Sequence, residues 1–335
     1  MICILSQSYL EDTTDSVMDW LGSFGAPFVR INGGDIDRAN GPRFSLNNDG
    51  AKARIAIDGA ELALENVKVV WYRRWAFNNK HMEIELLANP ADRGPANIYS
   101  ANRHLNGELR AVSAFLFSTL DDAKWLGHPS TASPNKLTML RRAARVGLDV
   151  PDTLVTTNVR DLHAFIEKHG EVICKPSGEV LTCTINDRPF GAYTSTIPDW
   201  VLDQGQWTGC FPSLFQEKLE KKYEIRVFYL DGQFYGMAMF TQQKASTRVD
   251  FRHYSLQDPV RTVPYKLPDE VEARLGALMK ASDLSTGSID LVRTVDGRFV
   301  FLEVNPVGQF GMVSQPCNYY LEKKVANALM ERLYG

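Results

Sequence analysis

The sequence has 335 residues, of which 44% are hydrophobic, and its formal net charge is −3 at pH 7. These values are typical of a folded protein with two or three packed units, and they give no indication of disorder. Because 37 basic residues are balanced by 40 acidic ones without a long block of one sign, we expect no general attraction to nucleic acid or to a membrane surface. No apolar run approaches the roughly 20 residues needed to span a bilayer.

The cysteines and the first residues indicate the compartment. Five cysteines are scattered without the paired spacing of a disulfide framework, a zinc site or a redox motif, which favours a reducing environment. The stretch from Met1 to Ser6 has no basic segment before its short apolar run, so it is predicted to be a first strand and not a signal peptide. A cytoplasmic location is therefore expected.

Residues 1–125 are predicted to form an N-terminal domain, because strand and helix signals alternate there as they do in a parallel α/β unit. Strands are expected at 2–5, 27–31 and 67–72, short strands between 44 and 64, and helices at 15–21 and 90–120.

Two arginines, Arg73 and Arg74, follow the strand at 67–72 and are flanked by aromatic residues. Guanidinium groups bind planar anions in a forked geometry, so the pair could hold a phosphate or a carboxylate. The alternative is a salt bridge at a domain interface with aromatic rings stacked beside it. The sequence does not decide between these interpretations.

Residues 126–210 are predicted to form a second domain. Ser133 is suited to cap a helix and Pro134 to begin one. A strand at 171–176 ends on Lys175. The Gly-, Ser- and Thr-rich stretch that follows is typical of a mobile loop over a ligand, although an ordinary surface loop has the same composition.

Residues 211–335 are predicted to form a third domain. Glu224 and Arg226 should lie on one face of a strand, because side chains two residues apart point the same way. An Asp-Gly pair then favours a tight hairpin turn. The other elements are strands expected at 214–219 and 234–240, helices at 268–282 and 319–333, and a hairpin at 287–306.

The hairpin at 287–306 gives the clearest indication of a site. Its two strands are separated by an Asp-Gly turn, and Glu303 and Asn305 share one face of the second strand. If the register brings Asp290 opposite them, three oxygen ligands converge. Such ligands suit magnesium, which completes its shell with water and nucleotide phosphates. The alternative is the polar edge of an ordinary hairpin.

A nucleoside triphosphate with magnesium would explain the polar features together. Lys136 and Lys175 would contact phosphate oxygens, and the carboxylates would act through the metal. The sequence contains neither the glycine-rich Walker loop nor a dinucleotide fingerprint, so ATP would have to be held in another way.

At Asp290 and the run from Phe301 to Pro306, the sequence resembles the ATP-grasp ligase superfamily, over roughly residues 129–333. The resemblance implies an α/β (α+β) ATP-grasp fold with an N-terminal α/β pre-ATP-grasp domain, and ATP and Mg²⁺ as cofactors. It also implies that Lys136 and Lys175 contact phosphate, that Gln216, Glu217, Lys218 and Leu219 form an adenine-binding linker, and that Glu224 contacts the ribose. By the same resemblance, Arg226 and Arg252 would stabilise an acyl phosphate, and Asp290, Glu303 and Asn305 would be the metal ligands.

A narrower resemblance covers nearly the whole chain. The sequence is similar to the microviridin-type and grasp-with-spasm peptide maturases, the graspetide synthetases, in the stretches 71–75, 175–180 and 305–309. The similarity implies that the substrate is contacted by Arg73, Arg74, Lys244, Asp250 and Gln309. One departure is that the loop at 177–196 lacks a dense glycine cluster.

This resemblance implies an ATP-dependent carboxylate ligase. It would activate Asp or Glu side chains of a ribosomal precursor peptide as acyl phosphates and link them to Thr, Ser or Lys as macrocyclic esters or amides. The expected partner is that precursor, with its leader and core, and a homodimer is compatible with the resemblance.

Two alternatives stay open. A ligase of the glutathione synthetase or glutamate ligase type would join a free amino acid to another carboxylate with the same active-site residues. A scaffold that has lost its chemistry would bind nucleotide and peptide without turnover, although the intact lysines, arginines and metal ligands argue against it.

Overall fold

The computed structural model describes residues 1–36, 41–48, 50–57, 60–76, 95–178, 182–185, 188–191, 194–198, 209–241 and 260–335. Three predicted site residues, Lys244, Asp250 and Arg252, lie outside these ranges, so what was predicted for them stays a prediction. Within the ranges given, no helix is long and apolar enough to cross a lipid bilayer.

The chain divides into two compact units. The first comprises Met1–Ala132 together with Tyr320–Gly335, and the second comprises Ser133–Tyr319. The sequence-based division differs in its last segment, since the closing helix belongs to the first unit and not to a domain at 211–335. Order along the chain does not reveal which apolar surface a terminal helix will cover.

The described part of the first unit contains a parallel sheet, a smaller antiparallel sheet and three α-helices. The parallel strands are β1 (Ile2–Ser6), β2 (Phe28–Asn32), β6 (Val69–Tyr72) and β7 (Lys124–Leu126), in the order β2-β1-β6-β7. The antiparallel strands are β3 (Arg43–Asn47), β4 (Gly50–Ile57) and β5 (Ala60–Ala63). The helices are α1 (Asp12–Ser23), α2 (Pro95–Ser118) and α7 (Leu321–Tyr334).

The parallel sheet is buried, as its apolar sequence predicts. All five residues of β1 are buried, and Cys3 and Leu5 form a core with Val70, Leu116 and Leu120. A parallel sheet covered on both faces requires such continuous apolar strands. Helix α7 packs against α1, which is why the closing helix is part of this unit.

The second unit begins with a four-stranded antiparallel sheet. Its strands are β8 (Thr153–Asn158), β9 (Val172–Lys175), β12 (Ser195–Thr196) and β13 (Gly209–Glu217), in the order β12-β9-β13-β8. A separate hairpin consists of β10 (Thr182–Ile185) and β11 (Arg188–Gly191). The helices of this part are α3 (Lys136–Arg145) and α4 (Val159–His169). Leu162 of α4 packs on Val172 and Phe215 of the sheet.

A five-stranded antiparallel sheet forms the rest of the second unit. Its strands are β14 (Lys221–Leu230), β15 (Gln233–Met239), β16 (Thr262–Tyr265), β17 (Thr286–Thr294) and β18 (Phe299–Asn305), in the order β16-β15-β14-β17-β18. The accompanying helices are α5 (Asp269–Ala281) and α6 (Gly311–Cys317). The turn between β14 and β15 has positive φ at Asp231 (45°) and Gly232 (88°), the conformation that an Asp-Gly hairpin turn favours.

One face of this sheet is the core of the second unit. Ile225 and Val227 of β14 pack there with residues of α3 and α5, such as Met139 and Leu275. Because strand residues alternate between faces, Glu224 and Arg226 point to the other face. The strand pattern thus assigns one face to packing and the other to polar side chains.

The start of α3 differs from the sequence prediction. Ser133 and Pro134 precede the helix without capping it, and Asn135 is the N-cap, whose Oδ1 accepts a hydrogen bond from Thr138 N at 2.9 Å. Asn caps a helix as well as Ser does, so the sequence contains two suitable N-cap residues. The one directly before Lys136, Asn135, is the N-cap in the structure. Helix α6, which contains Pro316, was not predicted.

Candidate active site

A cleft of about 250 Å³ lies in the second unit, between its two sheets. Eleven of the predicted site residues line it, contributed by α3, β9, the end of β13, the β13–β14 connection and the five-stranded sheet. They are Lys136, Lys175, Gln216, Glu217, Lys218, Leu219, Glu224, Arg226, Asp290, Glu303 and Asn305. Residues far apart in sequence therefore share one surface.

The two predicted phosphate-contacting lysines reach the cleft from separate elements. Lys136 is the first residue of α3, and its Nζ lies 3.4 Å from Glu303 Oε2 and 3.4 Å from the carbonyl oxygen of Pro176. Lys175 is the last residue of β9, paired in register with Leu214 of β13. Two ammonium groups directed to one cleft suit a polyanionic ligand.

Three adjacent strands bring a cation and two acids into one row. Arg226 of β14 pairs in register with Asp290 of β17, and Asp290 pairs with Glu303 of β18. Arg226 Nη1 lies 3.2 Å from both carboxylate oxygens of Asp290. The register that the hairpin prediction required, with Asp290 opposite Glu303, is confirmed.

A bulge in β18 produces this arrangement. The pairing shifts between Asp290 and Leu291, so that Phe301 is opposite Leu291 and Leu302 is the extra residue. Phe301 and Val304 pack in the core, whereas the two residues between them, Leu302 and Glu303, both line the cleft. Without the extra residue, strict alternation would place these two neighbours on opposite faces.

Asn305 ends β18 in a tight turn. Its Oδ1 accepts a hydrogen bond from Val307 N at 3.1 Å, and its backbone carbonyl accepts one from Gly308 N at 3.1 Å. A Cβ at Gly308 would lie only 2.8 Å from Ser288 Cβ and Oγ. The close approach of Gly308 to Ser288 therefore holds the turn, and with it the amide of Asn305.

The donor set at this end of the cleft fits magnesium. Asp290 and Glu303 offer carboxylate oxygens and Asn305 an amide oxygen, which are the ligand types that Mg²⁺ takes in small number while it keeps several waters. Across the described ranges, no three His, Cys, Asp or Glu side chains converge as a metal site, so sites of the zinc type are not indicated there.

The end of β13 and its connection to β14 form another wall of the cleft. Gln216 is buried, and its Nε2 donates to Thr153 Oγ1 at 3.0 Å, while Glu217 Oε1 accepts from Asp152 N at 3.0 Å. Among the described residues, Gln216 Oε1 has no hydrogen-bond partner although it is buried. A buried acceptor of this kind is costly unless a ligand or water satisfies it.

Glu224 is held by two donors. Its Oε1 accepts from Lys221 Nζ at 2.7 Å and from Thr241 Oγ1 at 3.2 Å, and all three side chains are largely buried. Sequence reasoning missed Lys221, because residues three apart on a regular strand point to opposite faces. An irregularity in β14 between Lys221 and Tyr223 changes the face on which Lys221 lies. The signal in the sequence that could have indicated Lys221 is the pair of lysines directly before Tyr223.

The described cysteines do not resemble catalytic thiols. Cys174 lies on β9 next to Lys175, and burial raises the pKa of its thiol, with a smaller effect from Cys210. A raised pKa keeps a thiol protonated and unreactive at neutral pH. Cys3, Cys174, Cys210 and Cys317 are all free.

The remaining predicted substrate contacts lie elsewhere. Arg73 and Arg74 are in the first unit, where both lie against Glu11, so the salt bridge that was the alternative interpretation is formed within one unit. Gln309 is half-buried in the loop after Asn305 and is not among the described residues that line the cleft.

The fold of the chain is that of the ATP-grasp ligases. Over 99% of this chain and 96% of the other, it is similar to a RiPP-associated ATP-grasp ligase of Chryseobacterium gregarium, with a TM-score of 0.80 and 23% identity; that protein was solved with ADP and a leader and core peptide. It is also similar to the macrocyclase MdnC of Microcystis aeruginosa, solved with precursor peptide MdnA, with a TM-score of 0.78, 22% identity and coverage of 98% and 99%.

A more distant solved structure has a different activity. The D-cycloserine synthetase DcsG matches 98% of this chain and 99% of its own, with a TM-score of 0.51 and 13% identity. No protein-family model matches the sequence, and comparison with curated protein sequences also finds no match. The expected fold class is therefore confirmed by solved structures alone.

Proposed function

We propose that the protein is an ATP-dependent carboxylate ligase that condenses side chains of a ribosomal precursor peptide. The observation that carries the proposal is a cleft whose lining includes Lys136, Lys175, Arg226, Asp290, Glu303 and Asn305. Two solved proteins that share the fold over nearly their full length were crystallised with precursor peptides, which supports a peptide as the substrate.

The residues of the cleft can be assigned to the steps of this reaction. Lys136 and Lys175 contact phosphate oxygens as point charges, and Gln216 with the backbone of the β13–β14 connection contacts the base. Asp290, Glu303 and Asn305 would hold Mg²⁺, which would neutralise charge at the phosphates when bound. Glu224 accepts from a ligand hydroxyl through its second oxygen.

The chemistry divides into two displacements. An Asp or Glu carboxylate of the peptide attacks the terminal phosphorus of ATP, the bond to ADP breaks, and an acyl phosphate forms. A Thr or Ser hydroxyl or a Lys amine then attacks the acyl carbon, loses its proton and expels phosphate. Arg226 is directed to the cleft, where its charge stabilises the oxyanion that develops at that carbon. No enzyme nucleophile takes part.

Intact-mass spectrometry of a candidate precursor, incubated with the protein, ATP and Mg²⁺, tests this proposal. We expect the peptide mass to fall by one water for each ring formed. A peptide mass that rises by one amino-acid residue would instead support ligation of a free amino acid, the second candidate. Absence of nucleotide turnover with any peptide would support the other alternative, a scaffold that binds nucleotide and peptide without turnover.

The metal assignment has its own test. We expect Glu303→Gln combined with Asn305→Ala to weaken Mn²⁺ binding at least about tenfold, since each lost ligand removes on the order of 1 kcal/mol or more. Electron paramagnetic resonance of Mn²⁺ measures this without turnover. Asp269→Asn, a change of an exposed carboxylate on α5, is the matched control, and equal Mn²⁺ affinity in all three proteins would contradict the assignment.

Compartment and assembly belong to the same proposal. The four described cysteines are all free, which is consistent with a reducing cytoplasm. A homodimer is tested by light scattering of the purified protein.

A further inference from the structure

Lys221 lies in the cleft beside Glu224, although nothing in the sequence pattern places it there. The exposed fractions of the Lys221 and Glu224 side chains are 13% and 8%, and Lys221 Nζ lies 2.7 Å from Glu224 Oε1. Thr241, which is fully buried, donates its hydroxyl to the same oxygen at 3.2 Å. Two donors therefore converge on one oxygen of this carboxylate.

A bulge at the start of β14 makes the contact possible. The pairing of β14 with β17 passes over one residue, Lys222, between Lys221 and Tyr223. With strict alternation, residues 221 and 224 would point to opposite faces of the sheet. Because of the extra residue, both line the cleft. Bulges beside functional sites commonly redirect a side chain in this way.

The second oxygen of Glu224 is open to the cleft. Oε2 accepts no hydrogen bond from any residue that the structure describes, and it is not enclosed. On the neighbouring strands Glu224 is opposite Met239 and Val292, and both of these buried side chains also line the cleft. Apolar neighbours limit competition from water, so a hydrogen bond to Oε2 is stronger here than in open solvent.

The position of this acceptor determines which group of a nucleotide it can bind. A carboxylate oxygen accepts hydrogen bonds and repels phosphate oxygens, so its partner is a neutral donor. Along β14, Glu224 follows the β13–β14 connection and precedes Arg226, and the Cα atoms of these two residues are roughly 7 Å apart. A hydroxyl of the sugar, between the base and the phosphates, fits this place.

We propose that Lys221 is a positioning residue through which the cleft selects nucleotides by a sugar hydroxyl. Glu224 as the acceptor belongs to the proposed function, on which this inference rests, and Lys221 with Thr241 fixes that acceptor in place. Because both donors hold Oε1, Oε2 keeps one orientation and needs no ordering when a ligand binds. A nucleotide that lacks the hydroxyl leaves this charged acceptor without a donor, which is costly.

Isothermal titration calorimetry with three nucleotides and Mg²⁺ tests the inference. ADP is compared with 2′-deoxy-ADP and 3′-deoxy-ADP, and the discrimination is the ratio of the Kd of the weaker deoxynucleotide to the Kd of ADP. We expect a discrimination of about 10- to 100-fold in the wild-type protein, the range of a hydrogen bond to a charged group. Equal Kd values for all three nucleotides would overturn the inference.

Lys221→Met separates positioning from a general effect of charge. Loss of the ammonium group changes the attraction of the cleft for the phosphates of all three nucleotides alike, whereas only the discrimination depends on the orientation of Glu224. We expect the discrimination to fall about two- to tenfold, since the carboxylate must then be ordered when ADP binds. Lys221→Arg keeps a charged donor and should keep the discrimination. Equal discrimination in the wild-type and Lys221→Met proteins would show that Lys221 serves stability alone.

Lys218→Met is the matched control. Lys218 also lines the cleft, but its Nζ is paired with Glu171 at 2.8 Å, so its loss should change the three Kd values by the same factor. A changed discrimination in this variant would contradict the specific role of Lys221. If Lys221→Met does not fold, Thr241→Val replaces it, because valine keeps the shape of the side chain and removes the second donor to Oε1. Unchanged discrimination in Thr241→Val would then overturn the inference.

The outcome is separate from that of the proposed function, because the binding assay contains no peptide. Failure of ADP to bind would remove the ligase and this inference with it. Binding of ADP without discrimination would remove the role of Lys221 and leave the ligase. Discrimination that depends on Lys221, without condensation of any peptide, would support the inference and remove the ligase.

Discussion

Replacing Lys221 with Met should destabilise the second unit strongly. The exposed fractions of the Lys221 and Glu224 side chains are 13% and 8%, and their charged atoms are 2.7 Å apart. Removal of one partner leaves the other charge buried, which costs about 3–5 kcal/mol in comparable pairs. The hydroxyl of Thr241 still donates to Glu224, so we expect the lower end, about 3 kcal/mol.

Lys218 provides a matched control for Lys221→Met. Its Nζ lies 2.8 Å from Glu171 Oε1, nearly the same separation, but the exposed fractions are 25% and 76%. Exposed pairs contribute about 0–1 kcal/mol, so Lys218→Met should cost less than about 1 kcal/mol. The comparison isolates burial, because the residue type, the substitution and the distance are shared.

Urea unfolding followed by far-UV circular dichroism measures both costs as free energies of unfolding. The double variant with Glu224→Gln should cost clearly less than the sum of the two single variants, because the buried charge that Lys221→Met leaves behind is then absent. Equal costs for the Lys221 and Lys218 variants, or strictly additive costs in the double variant, would show that burial of this pair does not determine its contribution.

Three further substitutions test local features of the fold. Gly308→Ala should lower the free energy of unfolding in urea by about 1–3 kcal/mol, because the new Cβ would lie 2.8 Å from Ser288. The control is Gly276→Ala in α5, where the nearest atom is 3.9 Å from the new Cβ, and this change should be neutral or stabilising. Asn135→Ala should lower the free energy of unfolding by about 1 kcal/mol in the same assay, since it removes the N-cap of α3. An unchanged urea midpoint would contradict that role of Asn135. Burial raises the pKa of the Cys3 thiol from 9.0 to about 12, so the folded state retains a proton that the unfolded state loses. The free energy of unfolding should therefore fall as the pH rises from 9.0 towards about 12, by about 1 kcal/mol near pH 10. Cys3→Ala should remove this contribution to the pH dependence of stability.

Local patterns in the sequence were sufficient for much of the second unit. Alternation along β14 predicted the shared face of Glu224 and Arg226, and an Asp-Gly turn predicted the hairpin in which Asp290 meets Glu303. These features depend on residues close together in sequence, where the side-chain period and the turn chemistry act directly.

Other features depend on departures from the period. The bulge at Leu302 and the irregularity before Tyr223 change which face of the strand a residue occupies. The spacing of apolar residues in the sequence does not predict where such an extra residue will be. The same holds for the pairing of Glu11 with Arg73 and Arg74, since the partners are 62 and 63 positions apart in sequence and only the parallel sheet brings them together.

The position of α7 bears on how the chain acquires its structure during synthesis. Helix α7 packs against α1, and Lys323 lies over the ring of Trp20 at 4.9 Å, so the N-terminal sheet cannot complete its helical cover until translation has passed residue 320. The whole of Ser133–Tyr319 is synthesised before that point. The later-encoded unit therefore has its complete sequence before the earlier-encoded unit has its last helix, so the order of synthesis and the order in which the two units can be completed are reversed.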